Sequence, residues 1–154
     1  MLLAIPPRAT LARFVRCCCF VEDIAGERAG VVIETCPNPG SVLTINVGRP
    51  NSIAGGPITP AVSFFGPQTK TRKWLSGLDT YFLMIFLTID GLVRLFPRDG
   101  ALAADNLADL GSLIGDRAAG RLAGDVAAAP NPRRLRRRRP LTPQGPMRAI
   151  GAAS

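Results

Sequence analysis

Cys17, Cys18 and Cys19 stand in a row, Cys36 follows, and the chain has no histidine. These facts bound the chemistry. Without an imidazole there is no Ser-His-Asp or Cys-His relay and no histidine-ligated metal centre. No C-x-x-C pair is present either. Along an extended strand Cys17 and Cys19 share one face and Cys18 takes the other. The three thiols then cannot all point one way. They read as small buried apolar groups of a protein in a reducing cytosol. No catalytic, cofactor-binding or metal residue is assigned, and an enzyme is not expected.

The second chemically distinct cluster is cationic. Arg133, Arg134, Arg136, Arg137, Arg138 and Arg139 follow Pro130-Asn131-Pro132 almost without interruption. Such a run binds phosphates without a fixed register, so the chemistry it offers is non-specific nucleic-acid contact. It also locates the charge. The chain has 154 residues and a formal net charge of +8, yet residues 1–130 hold 12 Lys/Arg against 11 Asp/Glu. Residues 131–154 hold seven arginines and no acid. The body is nearly neutral, and the basic excess belongs to the tail. A self-repelling run followed by Pro, Gly and Ala is expected to be disordered. A smaller basic group, Lys70, Arg72 and Lys73, reads as a solvated strand edge protected by charge, with a phosphate or acidic-ligand contact as the alternative.

The segment that organises the rest is residues 81–87 (YFLMIFL), an unbroken apolar run. Its length and aromatic content predict a strand buried on both faces. Phe82, Met84 and Phe86 then occupy one face, and Leu83, Ile85 and Leu87 the other. Ile89, Leu92, Val93 and Phe96 follow at i, i+3, i+4 and i+7, one face of a short helix. Thr88 or Asp90 caps it and Pro97 stops it.

Upstream, residues 61–65 form a strand ended by Gly66-Pro67. Residues 42–47 alternate, predicting a half-buried strand with Leu43, Ile45 and Val47 inward. Residues 16–21 and 31–34 read as strands, and residues 11–15 as one or two helical turns after Thr10. CPNPG at 36–40 is a dense turn signal. Residues 48–60 lack periodicity and read as a long loop. Beyond Pro97 the pattern turns helical. Leu107, Leu110 and Ile114 share one face, Gly115-Asp116 breaks and recaps, and Ala118, Leu122, Val126 and Ala129 share the next. Gly120 and Gly124 weaken this last helix by about 1 kcal/mol each relative to alanine, so it holds only when docked.

The order of these segments resembles a known family. A strand leading into GPQT (66–69), a basic and apolar strand, an apolar strand and a helix reading GLVRLF (91–96) resemble the N-terminal domain of bacterial AraC-type transcriptional regulators. LARFVRCCCFVED (11–23) resembles its opening helix-to-strand segment. CPNPGSVLTINVG (36–48) resembles its element of a cysteine and then an apolar strand ending in Asn-x-Gly. NLADLGSLIGDRAAGRLAGDVAAAP (106–130) resembles its closing helical segment. The resemblance implies an α+β fold, a mainly antiparallel cupin-like β-barrel or sandwich with C-terminal helices packed against it. It implies a regulatory ligand-sensing or dimerisation role, with a homodimer and an unidentified small-molecule effector as partners.

In that family two helix-turn-helix motifs follow where the arginine run begins here, and nothing in residues 133–154 resembles them. The expectation is a sensor-like domain over 1–132 and an arginine-rich tail over 133–154, from a truncated or frame-shifted regulator. Sequence-specific DNA reading is not expected of it. The alternative is a non-specific nucleic-acid-binding protein that works through the tail. MLLAIPPR is too short and too early in proline for a secretory signal. The apolar stretch 81–96 is interrupted by Asp90 and Arg94 and falls short of the about 20 residues that span a bilayer. The expected location is the cytoplasm, away from membranes.

Overall fold

The computed structural model describes residues 2–23, 25–97 and 104–129. The strands in chain order are β1 (Leu2–Ile5), β2 (Val15–Asp23), β3 (Val32–Thr35), β4 (Val42–Asn46), β5 (Ser52–Ile53), β6 (Val62–Phe65), β7 (Arg72–Leu75), β8 (Thr80–Leu87) and β9 (Leu107–Asp109). The helices are α1 (Ile89–Leu95), α2 (Leu110–Ile114) and α3 (Asp116–Ala128), with a 3-10 turn at Ala9–Leu11. Six strands form one sheet in the order β1-β2-β8-β4-β6-β9, and three form a second, β3-β7-β5. Every pairing is antiparallel. The fold is α+β, with the sheets dominant.

The apolar run becomes β8, flanked by β2 and β4 in the larger sheet. Its two faces meet different layers. Leu83, Ile85 and Leu87 join Leu43, Ile45 and Phe64 under the helices, where Leu92, Phe96 and Leu110 close the core. Phe64 is 0 % exposed, and its ring lies 4.5 Å from that of Phe96. Burying a side chain of this size contributes roughly 1.5–3 kcal/mol. From α3, Ala119, Leu122, Ala123 and Val126 pack inward. Their i, i+3, i+4, i+7 spacing is one helical stripe. Phe82, Met84 and Phe86 border a cavity beneath the three-stranded sheet.

Helix α1 starts where the sequence places it. The Thr88 hydroxyl accepts the Gly91 N–H at 3.0 Å and donates to the Arg13 carbonyl at 2.7 Å. The cap therefore also pins the segment before β2. Gly91 packs directly on that segment: a Cβ there would lie 2.1 Å from the Phe14 carbonyl oxygen. Gly48 is constrained in the same way, with the Asp79 carbonyl 2.3 Å from an added Cβ. These two contacts explain the glycines of the GLVRLF and Asn-x-Gly segments.

Several expectations need correction. Residues 2–5 pair with β2 as an edge strand, which so short a segment does not signal. Residues 9–11 make a 3-10 turn, and Val15 already belongs to β2. Strand β4 is covered on both faces, so Val42 is buried, while Val47 lies beyond the strand and is exposed. The loop 48–60 contains β5, which pairs with β7. On α1 only Leu92 and Phe96 face the sheet; Ile89 and Val93 are 66 % and 60 % exposed. A two-turn helix lying on a sheet buries one narrow row. Leu107 is in β9, and α2 begins only at Leu110, capped by Asp109, whose carboxylate accepts the Gly111 N–H at 2.8 Å. Leu122 and Val126 face the core as expected, but Ala118 and Ala129 are exposed, and Ala119 and Ala123 complete the stripe.

The two faces of the large sheet should respond differently to truncation. Phe64→Ala should cost about 3–5 kcal/mol in denaturant unfolding, because it empties a closed core site. Phe86→Ala should cost less, since Phe86 already borders open volume. The opposite ranking would mean that the core lies on the other face.

Candidate functional site

The cavity between the sheets has a volume of about 350 Å³. Alternation along three strands builds its floor. Strand β4 turns Val42, Thr44 and Asn46 toward it, β6 contributes Ser63 and Phe65, and β8 contributes Phe82, Met84 and Phe86. Strands β3 and β7 supply Ile33, Thr35 and Trp74 from the opposite side. Leu2, Arg28 and Cys36 border it while exposed to solvent, which makes them its rim. The volume lies in the range of small-ligand sites, about 300–1,000 Å³.

Aromatic packing holds the far wall. Phe65 meets Trp74 edge-on at 5.5 Å, and the Arg72 guanidinium lies 4.7 Å from the centroid of the same ring. Arg72 is thus turned inward and is not part of a solvated basic edge. Its Nε is buried without a hydrogen-bond partner among the described residues. Lys73 points outward to Glu34 at 3.1 Å, an exposed pair of small energetic weight. The Trp74 indole N–H donates to the Thr35 hydroxyl at 3.0 Å.

GPQT proves to be a clasp. Gln68 exchanges backbone hydrogen bonds with Asn38, at 3.0 and 2.8 Å, so it ties down the CPNPG turn. The Thr69 N–H donates to the Asp105 carboxylate at 2.8 Å, and the Thr69 hydroxyl donates to the same group. Those bonds hold the Asp105 carboxyl below its usual range. Gly66 reaches the Asn106 carbonyl at 3.2 Å. The motif closes one end of the cavity and carries no reacting group.

Charged groups gather at the other end. Both Asp23 carboxylate oxygens accept backbone N–H groups, from Glu27 at 3.1 Å and Arg28 at 2.8 Å. Glu22 is buried beside Tyr81. Burial first, and then the charge of Glu22, push the Tyr81 phenol up.

The cysteines follow the strand period. Cys17 and Cys19 share a face opposite Phe86 and Met84; Cys18 pairs with Ile85 on the other face. Burial, followed by the proximity of Cys17, pushes the Cys19 thiol up to about 11, and burial also raises Cys18. Among the described residues no three metal-ligating side chains come together. Arg133, Arg134, Arg136, Arg137, Arg138 and Arg139 lie outside the described residues. Also among the described residues, no helix is long and apolar enough to cross a membrane.

The cavity residues Thr44, Ser63 and Trp74 carried no motif. For Thr44 the sequence signal is a strand face of mixed character, Val42-Thr44-Asn46, which alternation alone assigns to solvent. Comparisons with protein-family models, curated proteins and solved structures return no significant match.

Thiol alkylation tests this arrangement. At neutral pH the exposed Cys36 should be modified first, and Cys19 should react appreciably only as the pH approaches about 11. Rapid labelling of Cys19 at neutral pH would contradict the burial of that strand face.

Proposed function

We propose that this chain is the ligand-sensing domain of an AraC-type regulator, cupin-like in architecture, which takes a small-molecule effector into the cavity between its sheets. The observation that carries the reading is the cavity itself: about 350 Å³, walled by two sheets, with a mainly apolar surface to which polar side chains such as Thr44, Asn46, Ser63 and Gln68 also contribute. That combination is the common form of a small-ligand site. The segments that resemble the family support it, because GPQT and CPNPG meet at the cavity wall through Gln68 and Asn38. The near-neutral charge of residues 1–130 fits a small-molecule site better than a nucleic-acid face. The same reading places the protein in the cytoplasm as a homodimer.

A ligand that binds only the folded state raises its stability by about 2.7 kcal/mol at one hundred times its Kd. Screening metabolites by melting temperature therefore tests the proposal. Trp74 is the single tryptophan of the chain and borders the cavity, so its fluorescence gives a second readout. Thr44→Phe places a ring in the cavity on a strand that accepts aromatic residues. It should melt cooperatively and lose the ligand response. A response that survives Thr44→Phe, or none across a broad library, sinks the proposal.

The arginine run favours a second reading, non-specific nucleic-acid binding through the tail. Replacing the six arginines from Arg133 to Arg139 with serine should abolish DNA retention. Binding by the native chain should fall steeply with salt and ignore base sequence, since phosphate contacts carry no sequence information. A footprint at one defined site at physiological salt would overturn this reading.

A further inference from the structure

The geometry points to a ligand class for the cavity: a compact, uncharged, largely aromatic molecule with one hydroxyl or carbonyl group held by Thr44 and Ser63. This rests on the reading of the cavity as a ligand site. Thr44 and Ser63 stand directly opposite each other in the β4–β6 ladder, and both border the cavity. Opposed residues of an antiparallel pair have Cβ atoms about 4.5–5.5 Å apart, so one ligand atom reaches both hydroxyls. Neither hydroxyl makes a side-chain hydrogen bond among the described residues, and neither oxygen is sealed off as a buried unpaired atom, so both are open to an occupant of the cavity. Each hydroxyl both donates and accepts, so the pair suits a group that does either.

The surroundings set the rest of the molecule. Met84 flanks Thr44 on the side away from Ser63. The rings of Phe65, Trp74, Phe82 and Phe86 border the same space, which favours a flat apolar body. An anion is disfavoured there. The cation that borders the cavity, Arg28, is at the exposed rim, and Arg72 sits over the Phe65 ring without bordering the cavity. A carboxylate on the floor would be desolvated without a partner. An amine would meet Asp23, whose oxygens already accept two backbone N–H groups, and Glu22, which also borders the cavity but is buried and engaged within the protein.

Three molecules of matched size separate these cases: para-butylphenol, butylbenzene and para-butylbenzoate. Each is titrated calorimetrically into the full chain, with Trp74 fluorescence as a parallel readout. The phenol should bind about ten-fold more tightly than the hydrocarbon, as expected for one well-made hydrogen bond, and the benzoate most weakly. Thr44→Val combined with Ser63→Ala removes both hydroxyls with little change of shape. It should lower phenol affinity to that of the hydrocarbon and leave the hydrocarbon unchanged. The single variants are measured as well, so that poor folding of the double variant leaves the comparison intact. Equal binding of phenol and hydrocarbon, or an unchanged phenol affinity in the variants, overturns the assignment to Thr44 and Ser63. Tightest binding of the benzoate overturns it in favour of an anion subsite at Arg28. Binding by none of the three overturns the cavity reading beneath it.

Discussion

Strand β8 has to be buried on both faces, and the other layers follow from that constraint. Seven consecutive apolar side chains from Tyr81 to Leu87 cannot leave either face in water without a large exposed apolar patch. Ladder partners on both edges, β2 and β4, satisfy its backbone. One face then requires helices and the other a second sheet. The helical side closes tightly, with Phe64, Leu87 and Leu110 fully buried. The other side does not. A three-stranded sheet with a two-residue edge strand, β5, covers the larger one only in part. The cavity is the space that incomplete cover leaves.

Turn chemistry determines where that space is closed. The two segments richest in turn residues, CPNPG and GPQT, are far apart in sequence but bonded to each other through Asn38 and Gln68. Thr69 extends the link to Asp105, whose φ of 56° lies in the left-handed region that Asp tolerates better than most residues. One end of the two-sheet structure is therefore tied by backbone bonds among three loops. At the opposite end, where Leu2 and Arg28 border the cavity exposed to solvent, backbone bonds also join the loops, Gly30 to Ser76 and Arg49 to Asp79.

Several polar and thiol groups of the described residues are taken up by the fold itself. The thiols of Cys18 and Cys19 are buried enough to resist ionisation. Asp23 and Asp105 are engaged as caps for backbone N–H groups. The cavity is bordered by the hydroxyls of Thr44 and Ser63, the carboxylates of Glu22 and Asp23, and four aromatic side chains.

Period and run length were legible without the structure. They located β2, β3, β4, β6, β8 and α1 to within a residue or two, set the β8 side chains in two alternating groups, and separated Cys17 and Cys19 from Cys18. These properties are local, because a strand alternates and a helix repeats whatever it packs against. The layer that covers each face is not local. Alternation alone assigns Thr44 to solvent, yet it borders a cavity because β3 and β7 fold over it. Arg72 resembled its basic neighbours and turned inward because Phe65 offered it a ring. Strand β9 is three residues long and exists through its pairing with β6, a partner more than forty residues away. The residues that border the candidate site come from strands separated along the chain, so only the tertiary fold brings their side chains together.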